Sequence, residues 1–131
     1  MNLEHVNVVR AGAVAIEQWR RENPAGRLDL SGVDFAGAKL SGLHLAGADL
    51  HGAKLAGADL SGCDLSESDL FGADLSGANL RKAVLYRANL AETDLTGADL
   101  REASMYRTVI RGARTAGADF TGAAMLKVAR L

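Results

Sequence analysis

Few side chains in this 131-residue chain have the chemistry of an active site or a metal centre. The residues best suited to nucleophilic or metal chemistry are three histidines, His5, His44 and His51, and one cysteine, Cys63. Their spacing matches no metal-ligand motif, and no pattern pairs a nucleophile with a base. No glycine-rich phosphate loop is present either. We therefore expect neither catalytic activity nor a cofactor or metal.

A recognition surface is a better prediction for the C-terminal half. A Tyr-Arg dipeptide occurs there twice, twenty residues apart, and two further arginines have the same separation. Tyrosine and arginine are enriched among the residues that dominate protein interfaces. The pattern nevertheless favours a structural interpretation, in which the rings pack across neighbouring coils and Glu67 or Glu102 offsets the arginines. The candidate surface for a protein or an anion comprises Arg81, Tyr86, Arg87, Arg101, Tyr106 and Arg107.

The apolar residues recur in steps of five. From Leu30 to Met125 every fifth residue is apolar except Thr115, and fourteen of these twenty centres are leucine. Alanine fills thirteen of the twenty positions two residues before a centre, and glycine fills thirteen of those two residues after it. A helix repeats after about 3.6 residues and a strand after about 2, so neither element alone explains the pattern.

Each five-residue unit is interpreted as a short extended side followed by a tight turn. The centre and the residue two before it share the inward face, and the residue between them faces water. Glycine falls where the turn needs a positive φ. Four units close a square coil, so the repeats form about five coils around a narrow apolar interior. A different corner geometry is expected where glycine is replaced, at Glu67, Lys82, Arg87, Glu92, Glu102 and Arg107.

Units such as Ala48-Asp49-Leu50 and Ala98-Asp99-Leu100 resemble the A(D/N)LXX motif of the pentapeptide-repeat family. The resemblance implies an all-β solenoid, a right-handed quadrilateral β-helix without enzymatic activity in its repeats. The family includes bacterial effectors and topoisomerase-protecting proteins that mimic DNA. We predict an N-terminal cap helix and linker over residues 1–26, the β-helix over 27–125 and a C-terminal tail over 126–131.

Open coil ends expose apolar core and unpaired edges, so each end needs a cover. Residues 3–22 predict one amphipathic capping α-helix that ends before Pro24. Its inward residues are expected to be Val6, Val9, Ala13, Ile16 and Trp19. The first coil carries bulky inward residues suited to contact that helix, namely Leu28, Val33, Phe35 and Leu43.

The C-terminal end is apolar but has no comparable helix. Either the tail folds over it or two copies of the chain meet there, and the dimers known in the resembling family favour a homodimer. Thr115 either bonds a backbone carbonyl or marks a loosened side. The candidate dimer edge comprises Ile110, Phe120, Met125, Leu126, Val128 and Leu131.

Charge decides between two binding roles. Asp29, Asp49 and Asp69 form one column that could imitate DNA phosphates. However, Lys54 and Arg114 interrupt the neighbouring column, and residues 28–125 carry only thirteen acids against nine bases. We therefore predict a non-catalytic scaffold or protein-interaction module with an unidentified protein partner. The alternative is a DNA-mimicking resistance protein that binds gyrase.

The composition also bears on location. With fifteen basic and sixteen acidic residues, the chain has no overall field that would attract nucleic acid or an anionic membrane. The sequence contains no long apolar span, no signal-peptide pattern and only one cysteine. We expect a cytoplasmic protein without membrane or direct nucleic-acid binding.

Overall fold

The computed structural model describes residues 1–131 and contains two short helices followed by a long coil. Helix α1 spans Leu3–Ala11 and helix α2 spans Ala13–Glu22. Neither of them could reach across a bilayer as an apolar span. The coil is held by parallel single-residue β-bridges, and each bridge joins residues twenty positions apart, from Asp29↔Asp49 to Val109↔Ala129. Four units of five residues predict this spacing.

The bridged residues form four walls, each a column of outward-facing positions. The first wall consists of Asp29, Asp49, Asp69, Asn89, Val109 and Ala129, and the second of Asp34, Lys54, Asp74, Asp94 and Arg114. The third wall consists of Lys39, Asp59, Asn79, Asp99 and Asp119, and the fourth of His44, Asp64, Val84, Ser104 and Ala124. A two-residue turn separates each wall from the next.

Backbone hydrogen bonds join each coil to its neighbours. The Leu50 N–H donates to the Asp69 carbonyl at 2.7 Å, and the Asp69 N–H donates to the Ala48 carbonyl at 3.0 Å. Within each turn the chain also bonds to itself, as when Ala53 N–H donates to the Leu50 carbonyl at 3.0 Å. Most backbone groups are therefore satisfied without a flat sheet.

The outward aspartates and asparagines have a structural task. Every Asp or Asn at a wall position from 29 to 119 accepts a hydrogen bond from the N–H two residues ahead, at 2.9–3.2 Å. That N–H belongs to the first turn residue, which has no backbone acceptor, so the side chain replaces one. The preference for Asp or Asn at the wall positions is therefore explained by this turn hydrogen bond and does not require a ligand.

The interior is a continuous stack of leucine and alanine. The centres Leu45 through Leu100 are essentially inaccessible, and the small inward residues beside them are equally buried. The four surface cavities lie at the two ends and on the outer corners, away from the axis. Packed side chains therefore fill the axis.

The corners without glycine do not have the different geometry expected for them. Glu67, Lys82, Arg87, Glu92, Glu102 and Arg107 all have φ between 55° and 61°, close to the 63–74° of the corner glycines. The same turn hydrogen bond forms, for example from the Ala83 N–H to the Leu80 carbonyl at 3.0 Å. That expectation was wrong because ladder bonds on both sides impose the left-handed conformation on these residues.

Backbone strain at a corner can be separated from crowding. Gly77 has φ of 63°, and a Cβ added there would meet no heavy atom within 4 Å. Gly77→Val is expected to lower the free energy of unfolding by about 1–2 kcal/mol, because a β-branched residue is disfavoured in the left-handed region. Asparagine tolerates the left-handed region, so Gly77→Asn should lower the free energy of unfolding much less. Equilibrium urea unfolding measures both, and equal losses would contradict a backbone origin.

The N-terminal cap consists of two helices, not the single helix expected over residues 3–22. Gly12 breaks the helix with φ of 102°, a conformation that favours glycine. The break resets the apolar face, so Ala13 is exposed instead of facing the core and Val14 is 81% exposed. The residues that do pack are Val6 and Val9 from α1 and Ile16 and Trp19 from α2.

The cap also supplies hydrogen bonds to the edge of the first coil. Asn2 N–H donates to the Asp29 carbonyl at 3.1 Å, and Asp29 N–H donates to His5 Nδ1 at 2.9 Å. Beyond these bonds, the Arg20 guanidinium donates to the carbonyls of His44, at 2.8 and 3.2 Å, and of Ala46, at 3.0 Å. The cap therefore closes the edge of the first and fourth walls.

The C-terminal end remains open. The chain continues the coil beyond Met125, with a further turn at Lys127 and a bridge from Val109 to Ala129. Thr115 is exposed, and its hydroxyl has no backbone acceptor, contrary to one of the two expectations for it. Its side chain lines the open end because no coil lies above the second wall there.

Candidate interaction surface

The Tyr-Arg dipeptides lie on the corner between the fourth and first walls. Tyr86 and Tyr106 occupy the first turn position of successive coils, and each ring is half-buried. The rings are parallel within 2° and their centroids are 5.7 Å apart. The twenty-residue repeat places them in one column, so the stacking follows directly from the coil. Leu126 occupies the same turn position in the next coil and is 65% exposed.

The arginines of these dipeptides rest on the tyrosine rings. The guanidinium carbons of Arg87 and Arg107 lie 5.4 and 5.5 Å from the centroids of Tyr86 and Tyr106. No carboxylate lies within 4.0 Å of either arginine or of Lys127 above them. The corner thus presents three cations in one column, none of which forms an ion pair within 4.0 Å. We call Tyr86, Arg87, Tyr106, Arg107, Leu126 and Lys127 the aromatic corner.

The other two predicted arginines lie across the fourth wall, on its corner with the third wall. Arg101 pairs with Asp99 at 2.6 Å. Arg81 approaches Glu102 at 4.0 Å. Carboxylates therefore lie beside both Arg81 and Arg101, whereas Glu67 forms no ion pair within 4.0 Å with a cation of the aromatic corner. The structure divides the six predicted residues into two corners that flank one wall.

The Asp99–Arg101 pair sets a clear expectation for pH. The side-chain hydrogen bond from Arg101 lowers the pKa of Asp99 to about 2. A depressed carboxyl pKa stabilises the folded chain above the unfolded pKa of about 3.9, and that stabilisation is lost as pH falls towards 2. Arg101→Gln should therefore raise the Asp99 pKa towards its ordinary value. An NMR titration of the carboxyl group measures this, with Arg107→Gln as the matched control; an unchanged Asp99 pKa would contradict the pairing.

The predicted dimer edge also falls into two groups. Ile110, Phe120 and Met125 line a cavity of about 350 Å³ at the open end, together with Thr115. Val128 is half-buried beside this end. The remaining two residues do not line this cavity: Leu126 belongs to the aromatic corner, and Leu131 is fully exposed.

The three histidines take part in local contacts. His5 packs edge-on against Trp19, with ring centroids 4.9 Å apart. His44 Nδ1 lies 3.3 Å from a carboxylate oxygen of Glu17 in the cap. Each of these contacts ties the cap or its neighbouring wall together, which the sequence pattern did not indicate.

One grouping on the first wall was missed from the sequence. His51 Nδ1 lies 2.6 Å from Asp49, and potential ligand atoms of Asp49, His51 and Asp69 all lie within 4.8 Å of one another. The coil brings Asp69 beside the pair from twenty residues away. His51 forms a direct hydrogen bond to Asp49. These contacts are accounted for within the wall, and we assign no ion to them.

Cys63 is fully buried at an inward position of the fourth wall, where the repeat usually has alanine. Its thiol donates a hydrogen bond to the Leu40 carbonyl at 2.8 Å. Burial raises the pKa of the thiol to about 11. A protonated, inaccessible thiol fills space in the core and is not a nucleophile.

The repeats are similar to those of known proteins. A family profile described as pentapeptide repeats matches residues 29–66 and 68–105, in eight copies. A pentapeptide repeat protein from the Arabidopsis thaliana thylakoid lumen is 32% identical, and the match covers 82% of this chain and 68% of that chain with a TM-score of 0.56. Curated protein sequences gave no match.

Two further solved structures have lower structural similarity. A pentapeptide repeat protein from Nostoc PCC 7120 is 35% identical, over 79% of this chain and 85% of that chain, with a TM-score of 0.41. QnrB1, a plasmid-mediated fluoroquinolone resistance protein, is 24% identical, over 72% of this chain and 56% of that chain, with a TM-score of 0.46.

Proposed function

Because this chain belongs to the pentapeptide-repeat family, we propose that it is a non-catalytic interaction module that holds a protein partner on its aromatic corner. The right-handed winding, the count of about five coils and the cytoplasmic location are parts of the same proposal. They follow from the family resemblance and the composition.

The observation that carries this proposal is the set of cations without an ion pair beside half-buried tyrosine rings and the exposed Leu126. Arg87, Arg107 and Lys127 have no carboxylate within 4.0 Å, whereas Arg81, Lys82, Arg101 and Arg114 each have one. Stacked like charges repel each other when nothing offsets them. A partner that brings negative charge would remove this repulsion while covering Leu126 and the tyrosine rings.

Affinity capture tests the proposal with two matched double variants. Tyr106→Ala with Arg107→Ala removes one step of the aromatic corner. Lys54→Ala with Arg114→Ala alters two exposed cations on the second wall. We expect the wild-type chain and the second-wall variant to retain the same partner, and the corner variant to lose it. Retention of that partner by the corner variant would refute the proposal.

Gyrase binding by DNA mimicry is the alternative function. In that function, the acidic column of the first wall would imitate the phosphates of DNA. Two of these carboxylates have a positively charged or titratable partner, since Asp29 lies 3.4 Å from the chain's first amino group and Asp49 lies 2.6 Å from His51. The column also ends in Asn89, Val109 and Ala129, which carry no charge. An extended phosphate imitation needs a longer run of free charge.

A gyrase supercoiling assay separates the two functions. We expect micromolar protein to leave supercoiling unchanged, with or without a fluoroquinolone. Inhibition of supercoiling or protection from the drug would instead establish the alternative.

A homodimer at the open end is a further part of the proposal. The N–H groups of Thr115, Phe120 and Met125 donate to no backbone acceptor, and the apolar cavity lies beside them. A second copy would cover both features, and an isologous contact leaves no free edge. Sedimentation analysis should show a dimer that Phe120→Glu converts to a monomer. A monomer at all concentrations for the wild-type chain would rule out this contact.

A further inference from the structure

The upper half of the fourth wall is a small uncharged surface between two cationic corners. Its outward residues are Val84, Ser104 and Ala124, bridged in sequence along the axis. The same wall carries His44 and Asp64 lower down, so the absence of charge is confined to the upper half. We call Val84, Ser104 and Ala124 the panel. Because these side chains are small, the panel forms a shallow depression between the larger side chains of its two corners.

Both sides of the panel carry arginine. The aromatic corner lies on one side, with its stacked tyrosines and unpaired cations. Arg81 and Arg101 lie on the other side, where carboxylates already pair with them. The free positive charge is therefore on one side only, next to Leu126 and the panel residue Val84, which are 65% and 36% exposed. A partner should place its acidic groups along that one side and its apolar groups over the panel.

From this arrangement we infer that the partner docks an acidic amphipathic α-helix along the panel, parallel to the coil axis. This inference rests on the proposed function and specifies the partner segment. A helix has the required asymmetry, because one stripe can be apolar while the adjacent stripe is acidic.

The spacing of the cations favours a helix over an extended strand. Arg87, Arg107 and Lys127 follow the coil, so successive charges rise by about 4.8 Å and span about 9.6 Å. Acidic residues at i, i+4 and i+7 of a helix span about 10.5 Å, which matches within about 1 Å. Alternate residues of a strand span about 13.4 Å over the same two steps. The last acidic residue of a strand would therefore miss the last cation by nearly the spacing of one coil.

Charge lower on the same wall disfavours a nucleic acid. Asp64 lies directly below Val84 on the wall, and Glu67 occupies the corner position below Arg87. A polyanion running along the wall would meet both carboxylates after passing only three unpaired cations. Tight binding of a nucleic acid needs more phosphate contacts than these three cations provide.

A synthetic peptide provides the test. The probe is a helical peptide of about four turns, with leucine on one stripe and glutamate at i, i+4 and i+7 on the adjacent stripe. One control peptide has the same composition with glutamate at alternate residues, and a second carries lysine in place of glutamate. A single-stranded oligonucleotide serves as the nucleic-acid control. Fluorescence anisotropy measures each affinity.

We expect the helical probe to bind with a dissociation constant on the order of 10 µM and the controls to bind at least about tenfold more weakly. Arg107→Glu should lower the affinity for the helical probe by about tenfold or more. Tyr106→Ala should also lower that affinity. Arg114→Glu, an exposed change on the second wall, should alter it less than about twofold. Amide NMR shifts should change at Val84, Ser104 and Ala124.

Equal or tighter binding of the alternate-glutamate peptide, or of the oligonucleotide, would overturn the helix inference. So would a lack of binding by the helical probe, or an Arg107→Glu affinity equal to that of the wild-type chain. If the corner variant still loses its natural partner in the capture experiment, the proposed function stands and only the helix is wrong. If the corner variant keeps that partner, the proposed function itself fails.

Discussion

Replacing Leu75 with alanine is expected to lower the free energy of unfolding by about 3–5 kcal/mol, near the upper end for a buried leucine. Leu75 is completely buried at a centre of the second wall. Its N–H donates to the Asp94 carbonyl at 2.8 Å, and the Asp74 N–H donates to the Ala53 carbonyl at 2.9 Å. Because the backbone is held from the coils above and below, the wall cannot collapse into the space left by the side chain, and the full cavity remains.

Equilibrium urea unfolding, followed by circular dichroism, measures the change. Leu126→Ala is the matched control, since it removes the same atoms from a side chain that is 65% exposed. The free energy of unfolding of this control should fall by no more than about 0.5 kcal/mol. A loss below about 1.5 kcal/mol for Leu75→Ala would mean that the walls do relax into the vacated space, and that the hydrogen bonds between coils do not hold them apart.

The second large effect concerns the attachment of the cap. Arg20→Gln is expected to weaken cap docking by about 2–3 kcal/mol, because it removes the charged donor to the carbonyls of His44 and Ala46. Burial lowers the pKa of Arg20 from its ordinary value, but an arginine stays protonated at any physiological pH. Trp19, the single tryptophan and a buried residue of cap helix α2, reports the change. Its emission should shift to the red before the coil itself unfolds.

Arg21→Gln provides the comparison, because Arg21 is exposed and has no carboxylate within 4.0 Å. Its Trp19 emission and amide exchange should match those of the wild-type chain. If the two variants behave alike, the carbonyl contacts of Arg20 do not hold the cap.

The repeat could be predicted from the sequence because each unit repeats the same local instructions. An inward leucine, a small residue two positions before it and a glycine corner act together, and every coil reinforces the next. The positions of Tyr86 above Tyr106 follow from the twenty-residue step alone. The family assignment also rests on this local pattern, which the profile match over residues 29–66 and 68–105 supports.

Features set by tertiary contacts were not predictable in the same way. The left-handed conformation of Glu92 contradicts local preference and is imposed by hydrogen bonds from neighbouring coils. Gly12 is compatible with a continuous helix by periodicity, and the break is visible only in its φ of 102°. The rotamers that pair Arg101 with Asp99 but leave Arg107 unpaired depend on which acids lie beside each corner. Sequence spacing identifies the column but not the pairing within it.

The coil's fixed step also restricts how such a gene can gain or lose length. Bridges always join residues twenty apart, so removing a single five-residue unit would rotate everything after it by a quarter turn. The tyrosines would then point in a different direction relative to the cap, and each column would be assembled from unrelated positions. Loss or duplication of twenty residues would shorten or lengthen the rod by one coil. The side chains after that point would keep their orientation relative to the cap. Length variants of this protein that still function should therefore differ by whole coils.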